Sequence, residues 1–270
     1  MTRAGAGREP LVLLSGMLGD ASLWEEVTPR LAGRVLALPA RIDLDDSVAA
    51  MAARVLADAP GRFALAGHSL GGIVALEVIR RTPHRVTRLA VLNASGRGPS
   101  PAQLAAWEAW RDRVTAGGFD AVAAELAVAT LPGPRRAAPD LVARNERMAR
   151  TVGGDGLLRQ LAAQRTRPGS LGARGGLSGV GVPVLVLGGE LDEVCPPPLQ
   201  RELAAAFGRT APDVTGVDGG FGGRGGGSVG SGEAGGPAEL VILADAGHMT
   251  PIERPEAVAA ELSRWLDRRS

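Results

Sequence analysis

Residues 63–79 read as a strand, a sharp turn and a helix, with a serine at the apex. An apolar run, Phe63-Ala64-Leu65-Ala66, leads into Gly67-His68-Ser69-Leu70-Gly71. The stretch Ile73-Val74-Ala75-Leu76-Glu77-Val78-Ile79 follows with the apolar content of a helix. In this context G-x-S-x-G marks a nucleophile elbow. The flanking glycines matter because such a turn strains the backbone, and side chains two positions either side would collide with it. A serine held there can attack an acyl carbon. The rest of the chain must then supply a base, an acid and an oxyanion hole.

The pattern alone does not select Ser69. With 39 Gly and 12 Ser in 270 residues, chance predicts roughly 0.2 matches, so context has to decide. A second match, Gly226-Gly227-Ser228-Val229-Gly230, lies in a glycine-rich tract with no strand before it and no helix after it. It is read as accidental.

Composition narrows the chemistry. The chain has no Lys and no Tyr, which excludes Schiff bases, Ser-Lys dyads, Tyr-Lys dehydrogenase sites and the P-loop lysine. Proton transfer near neutrality falls to Asp, Glu and three histidines. A formal charge of +1 gives no bias toward nucleic acid. No apolar run is long enough for a transmembrane helix, and Leu11-Val12-Leu13-Leu14 is too short for a signal peptide. The single Cys195 cannot form an internal disulfide, so a cytoplasmic setting is expected. No cofactor or metal motif is read, and the expected partner is a small acyl substrate, not a membrane or nucleic acid.

Six short apolar runs read as buried parallel strands: residues 11–15, 34–38, 62–67, 88–93, 183–188 and 239–244. Helical patterns fall between them at 22–32, 47–59, 70–81 and 198–207, with another at 256–268. This alternation predicts an α/β fold with a doubly wound parallel sheet. Residues 10–96 and 183–268 form the expected core, and 97–182 an inserted helical cap. Within the cap, helical patterns appear near 101–116, 119–131, 139–151 and 156–166, with Asp120 and Asp140 as expected N-caps. Residues 1–9 read as a disordered lead-in, and 168–182 as a mobile return path rich in Gly, Ser and Pro. The stretch 208–238 holds 13 glycines and reads as a disordered insertion in the core.

His248 is the expected base, because its loop follows the last strand and sites in open parallel sheets form at the strands' carboxyl ends. His68, next to the serine, would point away from the proton to be taken, and His84 reads as exposed. Asp192, after the fifth strand, is the expected orienting acid, with Glu190 and Glu193 as local rivals. The chain order Ser…Asp…His fits an acyl-transfer triad on this kind of sheet. The oxyanion hole is expected from two backbone N–H groups, that of Leu70 after the serine and that of Met17 in Ser15-Gly16-Met17-Leu18-Gly19. Cys195 reads as a packing residue.

Four blocks of the chain resemble the α/β-hydrolase superfamily. They are Leu13-Leu14-Ser15-Gly16 with Trp24 downstream, Gly67-His68-Ser69-Leu70-Gly71-Gly72, Gly189 to Asp192 with Pro196, and Gly247-His248 with Pro255-Glu256. The resemblance covers most of 10–95, 183–207 and 239–268. Members usually begin with an extra antiparallel hairpin, whereas the first strand here is expected near residue 11. That implies a shortened six-stranded sheet in the order 2-1-3-4-5-6. The family's usual His-Gly in the oxyanion loop is Ser15-Gly16 here.

The resemblance, with serine as nucleophile, implies a serine hydrolase. Its expected action is to cleave a carboxylic ester, or a thioester or lactone, through an acyl-enzyme. The alternative is a same-fold protein without hydrolytic function: a lyase, a cofactor-free oxidative enzyme or a ligand receptor. The cap carries 12 Arg against 7 Asp and Glu. If Arg144, Arg147, Arg150 or Arg159 faces the pocket, an anionic acyl group is favoured; the plainer reading is a solvated face. Trp107 and Trp110 either line an apolar pocket or pack on the sheet.

Overall fold

The computed structural model describes residues 8–171, 177–208 and 238–268. The tract expected to be disordered at 208–238 lies almost wholly outside them, as does most of the 1–9 lead-in and part of the 168–182 return path. Six strands form one sheet: β1 (Glu9–Leu14), β2 (Val35–Ala40), β3 (Phe63–His68), β4 (Val86–Leu92), β5 (Val184–Gly189) and β6 (Glu239–Leu243). Every neighbouring pair is parallel, in the order β2-β1-β3-β4-β5-β6. This is the shortened sheet and order predicted from the sequence.

The apolar runs are continuous because helices cover both faces. Eight α-helices lie among the described residues: α1 (Val48–Asp58), α2 (Leu70–Arg81), α3 (Pro101–Thr115), α4 (Phe119–Ala129), α5 (Pro139–Thr166), α6 (Pro197–Ala206), α7 (Thr250–Glu253) and α8 (Pro255–Asp267). Alternate strand residues divide the core. Val12, Leu14, Phe63, Leu65, Val91 and Val186 pack with α1, α2 and α6. Leu11, Leu13, Ala64, Ala66, Leu92 and Leu187 pack on the other face with α8 and the segment before β2.

That segment departs from expectation. Residues 22–32 form not an α-helix but two 3-10 turns, Ala21–Trp24 and Thr28–Leu31. Asp20 closes the first by accepting the Ser22 N–H at 2.9 Å. Pro29 lies in the second, and it has no N–H to continue an α-helical ladder. Leu23, Trp24, Val27 and Leu31 are still buried, and their spacing is what imitated a helix.

Helices α3 to α5 lie between β4 and β5, in the segment expected as the cap. Their own core joins Trp107, Val122, Leu126, Leu157 and Leu161 to Leu18 from the loop after β1. Asp120 and Asp140 are not the N-caps. Gly118 and Ala138 hold those positions without side-chain capping bonds, and both aspartates sit in the first turn. Pro139 opens α5 at N1, where its missing N–H costs nothing. The two helices expected at 139–151 and 156–166 are both present within α5, as two helical segments that meet at a kink at Gly153, whose φ is 73° and ψ 175°. No helix among the described residues is long and apolar enough to cross a membrane.

Candidate active site

Strand β3 delivers Ser69 into a conformation with φ 53° and ψ −118°, unusual for a residue with a side chain. Its N–H is held by the Leu92 carbonyl at 2.8 Å. The turn is tight enough that a Cβ on Gly67 would lie 2.3 Å from the Gly71 carbonyl oxygen. One on Gly71 would lie 2.4 Å from the Leu14 carbonyl oxygen. Only glycine fits at either position.

His248 follows β6 and Asp192 follows β5, so both reach the same end of the sheet as Ser69. The structure brings the three side chains together. Ser69 Oγ is 3.0 Å from His248 Nε2. His248 Nδ1 is 3.0 and 3.1 Å from the two Asp192 carboxylate oxygens. Nδ1 therefore carries the proton donated to Asp192, and Nε2 is free to accept from the serine hydroxyl. Asp192 and His248 are both buried.

The Asp192 carboxylate also accepts from the Val194 and Cys195 N–H groups at 2.9 and 2.8 Å. Asn93 Nδ2 donates to it at 2.9 Å. Burial by itself would raise the Asp192 pKa. The electrostatic interaction and hydrogen bond with His248, with the further hydrogen bonds from Asn93 and the Cys195 N–H, outweigh it and hold the group below the usual carboxylate range. Asn93 is in turn fixed by Thr250, whose hydroxyl donates to Asn93 Oδ1 at 2.5 Å.

A second carboxylate braces the histidine loop. Glu253, at the end of α7, accepts from the Gly247 N–H and the Met249 N–H, each at 2.9 Å. It thereby clamps the backbone on both sides of His248. Asn93, Thr250 and Glu253 were not singled out in the sequence. The one available signal was polar residues at the ends of otherwise apolar elements.

The other candidates lie apart from this chain of hydrogen bonds. His68 turns away from Ser69; its Nε2 donates to the His248 carbonyl at 2.7 Å. Burial, helped by the neighbouring His248, lowers its pKa to about 3, so the ring is neutral. His84 is exposed. Glu193 is exposed and paired with Arg136, and Glu190 is exposed. Burial pushes the Cys195 thiol well above its ordinary pKa.

Ser69 and His248 open onto a cleft of about 500 Å³. Its walls include Met17 from the loop after β1 and Trp107, Trp110 and Leu126 from the cap. Both tryptophans thus line the cleft, while Trp107 also packs in the cap core. The four cap arginines considered from the sequence do not line it. Arg144 pairs with Glu26 and donates to the Ser22 carbonyl at 3.0 Å, and Arg159 donates to the Asp43 carbonyl at 2.9 Å. They fasten α5 to the core. Arg147 and Arg150 are exposed.

Residues 11–261 match the model of the alpha/beta hydrolase family. A pimeloyl-acyl-carrier protein methyl ester esterase from Edwardsiella ictaluri is 37% identical over 99 residues, 34% of this chain and 38% of that protein. A dihydrolipoyllysine-residue acetyltransferase component of an acetoin cleaving system from Pseudomonas putida is 29% identical over 97% of this chain and 64% of that protein. The chain thus spans less than two thirds of the length of either relative. Among solved structures, an enol-lactonase from Burkholderia xenovorans superposes with a TM-score of 0.75 at 20% identity, covering 99% of this chain and 94% of that one. An esterase from Thermogutta terrifontis gives 0.72 at 22% identity, covering 97% and 90%. Such likeness speaks to the fold, and the family match, which runs from β1 into α8, agrees with it: the chain belongs to the alpha/beta hydrolase family.

Proposed function

We propose that this protein is a serine hydrolase that cleaves carboxylic esters through an acyl-enzyme. The observation that carries this reading is the continuous hydrogen-bonded chain from Asp192 through His248 to Ser69 at the mouth of a cleft. In this reading His248 Nε2 takes the Ser69 Oγ proton as Oγ attacks the ester carbonyl carbon. The C–O bond to the alcohol then breaks, and His248 returns the proton to the departing oxygen. Water, activated by the same nitrogen, later attacks the acyl-enzyme and frees Ser69. Asp192 keeps the imidazole in the Nδ1–H tautomer and stabilises the imidazolium that forms. Its contact with His248, with the hydrogen bonds from Asn93 and the Cys195 N–H, keeps it ionised for that role.

The developing oxyanion is assigned to the N–H groups of Leu70 and Met17. Leu70 is the first residue of α2, so its N–H has no partner within the helix. In the loop after β1, the Leu18 N–H is committed to Gln160 Oε1 at 3.0 Å. The Gly19 N–H is likewise held by the Gly16 carbonyl at 3.0 Å, and Met17 lines the cleft beside Ser69. A relative named as a methyl ester esterase is consistent with ester cleavage.

The test combines a fluorophosphonate probe and peptide mapping with assays on short p-nitrophenyl esters. The expected adduct is on Ser69. Ser69→Ala is expected to lose labelling and to lower kcat by about 10⁴-fold or more. Folded protein that neither labels nor turns over any ester more than once would overturn the proposal.

A further inference from the structure

Among the described residues, three charged side chains line the cleft: Arg97, Arg167 and Glu193. Arg97 is paired with Glu202 at 2.6 and 3.0 Å. Glu193 is paired with Arg136 at 2.6 Å. Arg167 differs from both. It lies at the end of α5 and is buried, yet no carboxylate among the described residues reaches it. Its Nη1 donates to the Arg97 carbonyl at 2.7 Å, while Nε is buried with no acceptor. The Trp107 ring, 6.0 Å from the guanidinium carbon, lies at the outer reach of a cation–π contact.

A guanidinium does not escape burial by losing its proton. Burial pulls the Arg167 pKa below its ordinary value. An unpaired buried charge is expensive to keep, and here it faces the one cleft that Ser69 also faces. Gln164 lines the same cleft with a buried Oε1 that lacks a partner. Polar groups left incomplete around a cavity mark where a ligand completes them. The walls between are largely apolar, with Ile73, Ala94, Trp107 and Leu126 among them. One arginine fork in such a setting suits the two oxygens of a carboxylate at the far end of a short hydrocarbon.

We propose that Arg167 binds a carboxylate carried by the substrate away from its scissile ester, so that the preferred substrates are anionic esters. This rests on the hydrolase reading above. The carboxylate can sit on the acyl side, as in a half-ester of a dicarboxylic acid, or on the alcohol side, as in an ester of a hydroxy acid.

Two matched pairs test it. One sets the monomethyl ester of a linear dicarboxylic acid against the neutral methyl alkanoate of equal length. The other sets the acetyl ester of a hydroxy acid against that of the matching alkanol. Wild-type protein is expected to prefer the anionic member of at least one pair by about tenfold to a hundredfold in kcat/KM, the range of a hydrogen bond to a charged group. The preferred pair identifies the side. Arg167→Gln is expected to bring that ratio close to one, and Arg167→Lys to restore part of it.

A wild-type ratio near one in both pairs overturns the proposal, as does an Arg167→Gln protein that keeps the preference. If Arg167→Gln does not fold, inhibition of neutral-ester hydrolysis by wild-type protein decides. A linear dicarboxylate must compete and the diol of equal length must not. If no ester is turned over at all, the hydrolase reading fails separately. Calorimetric binding of the dicarboxylate to wild-type protein, absent for the diol, then still decides the Arg167 site.

Discussion

Asp192 is a buried carboxylate that stays ionised because of what surrounds it, and among the described residues Asn93 is the one side chain other than His248 that donates to it. Asn93 also donates to the Gly247 carbonyl at 3.1 Å, so it couples the acid to the loop that carries His248. Its backbone sits at φ 49°, a conformation that Asn and Gly adopt more readily than other residues. Asn93→Gly therefore removes the side chain without adding backbone strain. Loss of one hydrogen bond to a charged group, about 1.5–3 kcal/mol, predicts a fall in kcat/KM of roughly 10- to 100-fold. The measurement is steady-state kinetics on folded protein beside the rate of fluorophosphonate labelling, and the two should fall together. Unchanged kinetics would mean that Asn93 only packs.

At the scale of elements, Gly153 bends α5 and so sets how the second half of the cap meets the core. Its φ of 73° with ψ of 175° lies in a region essentially reserved for glycine. A Cβ there would meet nothing within 4 Å, so the cost of Gly153→Ala is backbone strain alone. The expected loss is about 1–3 kcal/mol, read as a lower urea midpoint with an unchanged slope. Equal or greater stability in the variant would show that the bend is not required. The helical patterns at 139–151 and 156–166 leave a gap, and the kink at Gly153 falls in it; the sequence shows where a helix is interrupted but not how its two halves are angled. The strands were legible for a simpler reason: a strand covered on both faces must be apolar throughout. Ser69, Asp192 and His248 were legible through their places after β3, β5 and β6. Arg167 was not. Twelve arginines in the cap look alike in sequence, and only the packing of α5 decides which of them meets Glu26, Asp43 or the cleft.

Across the whole molecule, the carboxyl ends of the strands gather both the strained backbone and the buried polar groups. Leu18, Ser69, Asn93 and Asp245 have φ values of 59°, 53°, 49° and 52°, and they follow β1, β3, β4 and β6. The opposite pattern holds within the sheet, where the strands are almost wholly apolar. Of the polar side chains in the strands, Glu9, Thr87, Arg88, Glu239 and His68, only that of His68 is buried; it ends β3 and has its Nδ1 without a partner. This has a consequence for global stability. Folded His68 titrates at about 3, whereas an unfolded histidine titrates near 6.5. Between those values the unfolded chain binds one more proton than the folded one, so stability falls as pH falls through the window and is recovered above it. The slope from this one group is roughly 1 kcal/mol per pH unit. Asp192, held below the usual carboxylate range, adds to acid sensitivity only lower down, as pH falls below the unfolded carboxylate value near 4. Urea unfolding at pH 5 and pH 6 isolates the histidine. His68→Gln keeps an N–H for the His248 carbonyl but cannot titrate, and it should lose about one proton's worth of slope relative to wild type. Identical slopes in the two proteins would show that His68 is not the buried neutral group that makes this sheet acid-sensitive.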